Sequence, residues 1–296
     1  MTKGDPLDGN SSNIQIACNS AVLRHFDRSL DCALRAIRDI GFEWVEIPAT
    51  LGRCPVASMG FCPTMSLDQD PVALRRQLDA LGLRVSQIDS GAFLMGPEGN
   101  TYGVTFLNKA LRFAKYIGAP FVIAIDGLRK PDPLDEEDAF RQIQQNLNLT
   151  LQTAKLYGVG INVEPHGPLS RSIRGMQRIL GLVEGELAQY LGVNFDTGNT
   201  FIAGEDPLTF LKAVAPRVRH FHAKDVAATL ARVQWGLSTG IPPSEVAVGD
   251  GVIAQNIADC IQYLKSTGWK GVISVETEGI ENTRRSLMWL RDVLAA

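Results

Sequence analysis

Short runs of β-branched and apolar residues alternate along the chain with longer stretches whose apolar positions recur every three or four residues. The first pattern predicts strands and the second amphipathic helices. Eight such pairs can be counted. The strand runs are NIQIACN (13–19), WVEIPA (44–49), RVSQIDSGAF (84–93), PFVIAIDG (120–127), GINVEPHG (160–167), LGVNFDTGN (191–199), VRHFHAKD (218–225) and GVISVETEG (271–279). The helical stretches are SLDCALRAIRDIGF, PVALRRQLDALGL, a segment within NTYGVTFLNKALRFAKYIGA, EEDAFRQIQQNLNLTLQTAKLYG, SIRGMQRILGLV, DPLTFLKAVA, IAQNIADCIQYLKSTG and NTRRSLMWLRDVLAA. Each of the first four ends near a glycine that can take the left-handed cap, and DPLTFLKAVA carries proline in its first turn. Regular alternation of strand and helix is the sequence form of a parallel sheet with helical crossovers. Eight pairs are enough to close that sheet into a single (β/α)8 barrel.

The length agrees: 296 residues against roughly 250 for one such barrel. The barrel is assigned to residues 13–296, and the polar, Gly/Asp/Ser-rich residues 1–12 to a flexible tail. Two segments exceed ordinary connections, 50–70 and 226–250, and mix Gly and Pro with Met, Phe or Trp. They are expected to cap the C-terminal face of the barrel, with Phe61, Met65, Phe93, Met95 and Trp235 read either as shaping a pocket or as local packing.

Composition narrows the function. Hydrophobic residues at 45% and charged residues at 21% are globular values. Lys+Arg 29 against Asp+Glu 32 leaves a net charge of -3, no basis for holding a phosphate backbone, so nucleic acid is not expected as a partner. Five scattered cysteines (Cys18, Cys32, Cys54, Cys62, Cys260) without a CxxC pair suggest neither a disulfide framework nor a thiolate zinc site. With no secretory signal and no 18-residue apolar run, a cytoplasmic protein without a membrane span is expected. No GxSxG elbow stands at a strand-to-helix turn, the GLSTG run at 236–240 lying within the second long segment, and a GxGxxG turn is absent.

Glu164, Asp196, His222 and Glu276 each stand at the C-terminal end of a different strand run. Such ligands converge only if the sheet closes. Three carboxylates and one imidazole suit a divalent ion, Mn²⁺ foremost, with Mg²⁺, Co²⁺ or Zn²⁺ as alternatives. An ion there would polarise a carbonyl and make the neighbouring C–H acidic enough for a carboxylate to remove. His220 and His222 are two apart and share a face, so the one nearer the strand end, His222, is assigned to the metal. The exchanged assignment is the alternative. Lys224 follows on that face, as a donor to a substrate hydroxyl or enolate or as a strand-end salt bridge. His166, two past Glu164, and Asn199, in the TGN turn, are assigned to substrate against structural alternatives. Glu46 ends the second strand and is also assigned to substrate, with Asp89 on the third strand behind it. Arg171 and Arg174 are read as solvated loop charges. The VGDGV run at 248–252 is read as a turn, too short for a phosphate cradle, which favours an unphosphorylated substrate.

With those residues placed, the chain resembles the xylose isomerase-like TIM barrels, a superfamily of sugar isomerases, ketose 3-epimerases, inosose dehydratases and apurinic endonucleases. The resemblance spans about residues 13–294 and is most specific at VEPHG, NFDTGN, HFHAKDV, VAVGDG and SVETEG. It implies a Glu, Asp, His, Glu metal site at Glu164, Asp196, His222 and Glu276. It also implies that Glu164 and Glu276 act as acid and base around a metal-stabilised enediolate. Epimerases resembling D-tagatose 3-epimerase have a His and an Arg where this chain has Asn199 and Ala228, and the HxKD form of His222, Lys224 and Asp225 looks more like the inosose dehydratase branch. Four histidines are too few for the trinuclear site of the apurinic endonucleases. The implied activity is isomerisation or epimerisation of a keto sugar or keto-cyclitol. The alternatives are a lyase on a 3-keto sugar, including a C-glycoside-cleaving subunit of a hetero-complex, and a non-catalytic metal- and sugar-binding barrel. A homo-oligomer is expected for the fold.

Overall fold

The computed structural model describes residues 14–24, 26, 28–50, 63–233, 240–241 and 243–296. The expected tail at 1–12, most of the first long segment with Cys54, Phe61 and Cys62, and also His25 and Trp235 lie outside the described residues.

Among the described residues there are nine strands: β1 Ile14–Asn19, β2 Trp44–Thr50, β3 Met65–Ser66, β4 Arg84–Phe93, β5 Phe121–Ile125, β6 Gly160–Val163, β7 Leu191–Asp196, β8 Val218–Ala223 and β9 Gly271–Val275. All pairings are parallel. The order β1-β9-β8-β7-β6-β5-β4-β2 closes through β1–β2, and the two-residue β3 pairs only with β2. The eight strands read from the sequence are therefore the eight staves of a closed barrel.

The helices are α1 Leu30–Ile40, α2 Pro71–Leu81, α3 Gly96–Glu98, α4 Val104–Ile117, α5 Glu136–Tyr157, α6 Ile173–Gly181, α7 Thr197–Ile202, α8 Pro207–Val214, α9 Ala228–Val233, α10 Ala254–Ser266 and α11 Ile280–Ala295. α1, α2, α4, α5, α6, α8, α10 and α11 follow the barrel strands one by one. Their ends are marked chemically. Ser29, Asp70, Asp135, Ser172 and Asp206 each accept a first-turn amide with the side chain, and Gly41, Gly82, Gly118 and Gly158 close α1, α2, α4 and α5 in the left-handed conformation. The short α3, α7 and α9 are additions at the C-terminal face that the periodicity does not predict.

The apolar core lies between wall and helices, where Val45, Ile47, Ile88, Val122, Ile161, Val193, Phe195, Phe221 and Ile273 pack on helix residues such as Leu34, Ile37, Leu107, Leu147, Ile179, Phe210 and Ile261. Ala17, Trp44 and Val272 form a separate apolar cluster. Above it the lumen is polar, unlike the branched aliphatic filling common in such barrels. Register shifts at Val45/Glu46 and Val193/Asn194 accompany this change, since a bulge re-aims side chains. Ser86 and Gln87, consecutive on β4, both bond to His220.

Candidate active site

The site is built where the staves end. Asp196 and His222 are the last and next-to-last residues of β7 and β8 and lie side by side in register. Glu164 and Glu276 stand one residue beyond β6 and β9, each continuing the ladder through its backbone amide, to Ala124 O and Ala223 O at 3.1 Å. Around His222 Nδ1 stand Glu164 Oε1 at 3.4 Å, Asp196 Oδ2 at 3.5 Å and Glu276 Oε2 at 3.7 Å. All four side chains are buried. The structure thus brings together the four residues that the sequence picks out.

Both nitrogens of the His222 ring are engaged. Nε2 meets the two carboxylate oxygens of Glu46 at 2.9 and 2.8 Å, and Asn194 Nδ2 stands 3.2 Å from Nδ1. Burial works against a charged imidazole, but Glu46, Glu276, Asp196 and Glu164 outweigh it and hold His222 well above the ordinary histidine range. Burial would likewise raise Glu46, yet the adjacent His222 takes its carboxyl down to about 2. Glu46 is not where it was expected. Its side chain is wholly buried, bonded to His222 and Gln87, and absent from the cavity wall, so the pocket is closed to it.

One pleat deeper, His220 is enclosed by neutral partners: Gln87 Nε2 at 2.8 Å and Asn194 Oδ1 at 2.9 Å on Nδ1, and Ser86 Oγ at 3.1 Å on Nε2. Burial lowers its pKa to about 3. Gln87 also accepts from Asn162 Nδ2 at 3.2 Å. Gln87, Asn162 and Asn194 were not singled out in the sequence. Asn194 could have been found by stepping back two residues from Asp196, because alternate strand residues share a face.

Lys224, directly after β8, is 1% exposed. Its Nζ lies 2.5 Å from Glu276 Oε2, 2.9 Å from Asp196 Oδ2, 3.0 Å from Ile241 O and 3.3 Å from Asn199 Oδ1. Burial disfavours its charge, but Asp196, Glu276 and Glu164 more than restore it, so the group is an ammonium. Gly198 permits this packing, since a Cβ there would sit 2.8 Å from Lys224 Cγ. The TGN segment, expected as a turn, is instead the first turn of α7. Asp196 caps it, its Oδ1 accepting from Asn199 N at 2.7 Å. Asn199 then donates from Nδ2 to Glu164 Oε1 at 3.0 Å and accepts at Oδ1 from Ile241 N at 2.9 Å. Burial raises Glu164 to about 7 despite His222, and raises Glu276 despite Lys224. His166, lowered by burial and by Lys224 to about 4, is a neutral imidazole.

Glu164, His166, Lys224 and Glu276 line one cavity with Asn19, Arg24, Asp89, Phe93, Ile125, Leu128, Ile241 and Pro243. Asp89 does face it, as expected; burial and the neighbouring Glu46, Glu164 and Glu276 hold its carboxyl well above the ordinary range. Of the two roles left open for Met65 and Met95, the structure gives packing: both are in the apolar core. The second long segment crosses over the site at Gly240, where a Cβ would meet Asn199 and His166 at 2.6 Å. The VGDGV run has a use that its sequence hides. Gly249, Gly251 and Ile253 donate their amides to the Asp225 carboxylate at 3.0, 2.9 and 3.1 Å, so the loop cradles an anion of its own chain. Arg174 is a surface charge 3.9 Å from Glu136.

A divalent cation suits this arrangement. One ligand atom from each of Glu164, Asp196 and His222 falls within 4.8 Å of the others. Asp196 Oδ2 and Glu276 Oε2 are buried and, the Lys224 ammonium aside, meet no hydrogen-bond donor. Hard carboxylate oxygens with one imidazole nitrogen, turned inward on a shared point, are a donor set for such an ion.

The architecture is a closed parallel (β/α)8 barrel with carboxylates and a histidine converging at its C-terminal mouth. The chain belongs to the family of xylose isomerase-like TIM barrels, whose model matches residues 34–293. The inosose dehydratase of Mesomycoplasma hyopneumoniae strain 7448 is 28% identical over 297 residues, covering 91% of this chain and 90% of its own. Among solved structures, a D-tagatose 3-epimerase-like protein superposes with a TM-score of 0.73 at 19% identity, over 95% of this chain and 97% of that one. The IOLI protein, solved with a bound zinc atom, gives 0.71 at 17% identity, over 95% and 98%. These relatives belong to an enzyme superfamily of epimerases and dehydratases. No helix among the described residues is long and apolar enough to cross a membrane.

Proposed function

We propose that the protein enolises a keto sugar or keto-cyclitol in a divalent-metal-dependent reaction and releases it as an isomer or epimer. The observation that carries this reading is the pair Glu164 and Glu276, which line one cavity and turn an oxygen each to His222 Nδ1 at 3.4 and 3.7 Å. Glu164, Asp196, His222 and Glu276 would hold the ion, manganese being the first choice. When bound, it supplies Lewis acidity to the substrate carbonyl.

The chain's own groups do the rest. One glutamate takes the proton from the carbon beside the carbonyl, the C–H electron pair becoming the enolate. The other returns a proton to that carbon from its own side, which inverts the centre; if the proton goes instead to the former carbonyl carbon, and the α-hydroxyl proton passes to the former carbonyl oxygen, the carbonyl moves. Lys224, its N–H groups already shared among Glu276, Asp196, Ile241 O and Asn199 Oδ1, sets a positive charge beside the oxygen on which negative charge grows. Asn199 holds Glu164 by Oε1, and neutral His166 offers a ring nitrogen to a hydroxyl. Phe93, Ile125, Leu128, Ile241 and Pro243 keep bulk water from the enolate. Glu46 is a positioning residue: a carboxylate on Nε2 turns Nδ1 towards the site.

A lyase is the second reading, favoured by the inosose dehydratase relatives. The same enolate would expel a β-hydroxyl or aglycone instead of being reprotonated. The deciding experiment is incubation of metal-stripped and Mn²⁺-restored protein in D₂O with ketohexoses, 3-keto-glycosides and inososes. Deuterium appearing beside the carbonyl only with metal supports enolisation, and product mass separates epimer from elimination. Glu164→Gln and Glu276→Gln should each slow exchange about 10²–10⁴-fold. Full exchange by both variants at saturating metal would sink the acid and base roles.

A further inference from the structure

At the β1 side of the cavity stand two side chains that the proposed chemistry leaves unused. Asn19 ends β1 and caps the 3-10 turn Ser20–Leu23, its Oδ1 accepting from Ala21 N at 2.9 Å. That bond fixes which way the amide faces, so Nδ2 remains as a donor, and it has no acceptor among the described residues. Arg24 closes the same turn, with its backbone amide on Ala21 O at 2.8 Å. Its Nε and Nη1 also lack an acceptor. Asn19 is 2% and Arg24 7% exposed, so bulk water does not satisfy them, and both line the cavity shared by Glu164, His166, Lys224 and Glu276. Buried donors without acceptors are rare and costly in native proteins. An occupant of the cavity that brings oxygen atoms would relieve all three.

We propose that Asn19 and Arg24 form a donor-only substrate subsite that takes hydroxyl oxygens of an uncharged, polyhydroxylated ligand. Glu278 argues against an anionic group. It stands 3.7 Å from Arg24 Nε and already balances the guanidinium charge, while Asp89, Glu164 and Glu276 add acidic groups to the same wall. The three nitrogens therefore lack acceptors among the described residues rather than a counter-charge. Only the identity of the occupant rests on the reading of the cavity as an enoliser of keto sugars or cyclitols. The orphan donors are a property of the described residues.

The test uses ligands that have no carbonyl and cannot enolise. Mn²⁺-loaded protein is titrated calorimetrically with myo-inositol, glucitol, methyl glucoside and gluconate. At least one of the three neutral polyols binds saturably to the wild type. Arg24→Gln weakens it at least about tenfold, the cost of a lost hydrogen bond to a charged donor. Asn19→Asp, which keeps the capping oxygen but removes the donors, weakens it severalfold, and Mn²⁺ stoichiometry stays that of the wild type in both. If Arg24→Gln does not fold, Arg24→Lys and Asn19→Asp carry the comparison. Equal polyol binding by wild type and variants, gluconate preferred to every neutral polyol, or no binding of any neutral polyol overturns the subsite. Polyol binding that depends on Arg24, in a protein that exchanges no carbonyl substrate, would leave the subsite standing and remove the enolisation reading.

Discussion

His220 and His222 are one pleat apart on β8, equally buried and pointed into one lumen, yet they are opposite groups. Neutral amides and a hydroxyl surround His220, and burial takes its pKa to about 3. Carboxylates on both ring nitrogens hold His222 far up. Depth does not decide the charge of a histidine here; the charge of the partners does.

Substituting each histidine should break the comparison most sharply. His222→Asn should weaken Mn²⁺ binding by more than about 100-fold, beyond what loss of an outer partner does, with folding retained. His220→Leu should keep Mn²⁺ stoichiometry but leave Gln87, Asn194 and Ser86 short of a partner, at about 1–3 kcal/mol for each stranded group. Metal titration with urea unfolding reads both; the reverse pattern would exchange the two roles. Next in size is Glu46→Gln, which keeps a hydrogen bond on Nε2 but removes its charge. About 10–100-fold weaker metal binding is expected, and an unchanged affinity would reduce Glu46 to packing. The smallest effect belongs to Asp225→Asn, which deprives the 249–253 loop of its anion. About 1–3 kcal/mol of stability, with faster hydrogen exchange at the Gly249, Gly251 and Ile253 amides, would separate this loop from the ligand layer.

The staves and their order were legible because β-branched runs and capped helices alternate without interruption, and the four converging residues were legible because each ends a run. What escaped the sequence is what a neighbouring stave decides. Glu46 has the position of a pocket residue, but its orientation follows from His222 across the lumen. Asn19 and Arg24 acquire meaning only when a cavity forms beside them. The short helix α7 was hidden because Asp196 was read as a ligand and not also as a cap, although Asp-Thr-Gly-Asn after a strand is a helix-start signal. Gly249 and Gly251 read as turn residues because the anion they hold is 24 and 26 positions earlier in the chain.

That double use of Asp196 has a consequence for how tightly a cation can be held. Oδ1 is tied to the α7 amide and Oδ2 is turned to the site, so the carboxylate has no rotamers left to lose when a ligand arrives. Its conformational entropy is surrendered during folding, at the joint between β7 and α7, and not at the moment of binding. On the proposed reading, affinity at this oxygen is thereby coupled to the nucleation of a helix of six residues, and a change that loosens that first turn would weaken cation binding even though none of the proposed ligands had been touched.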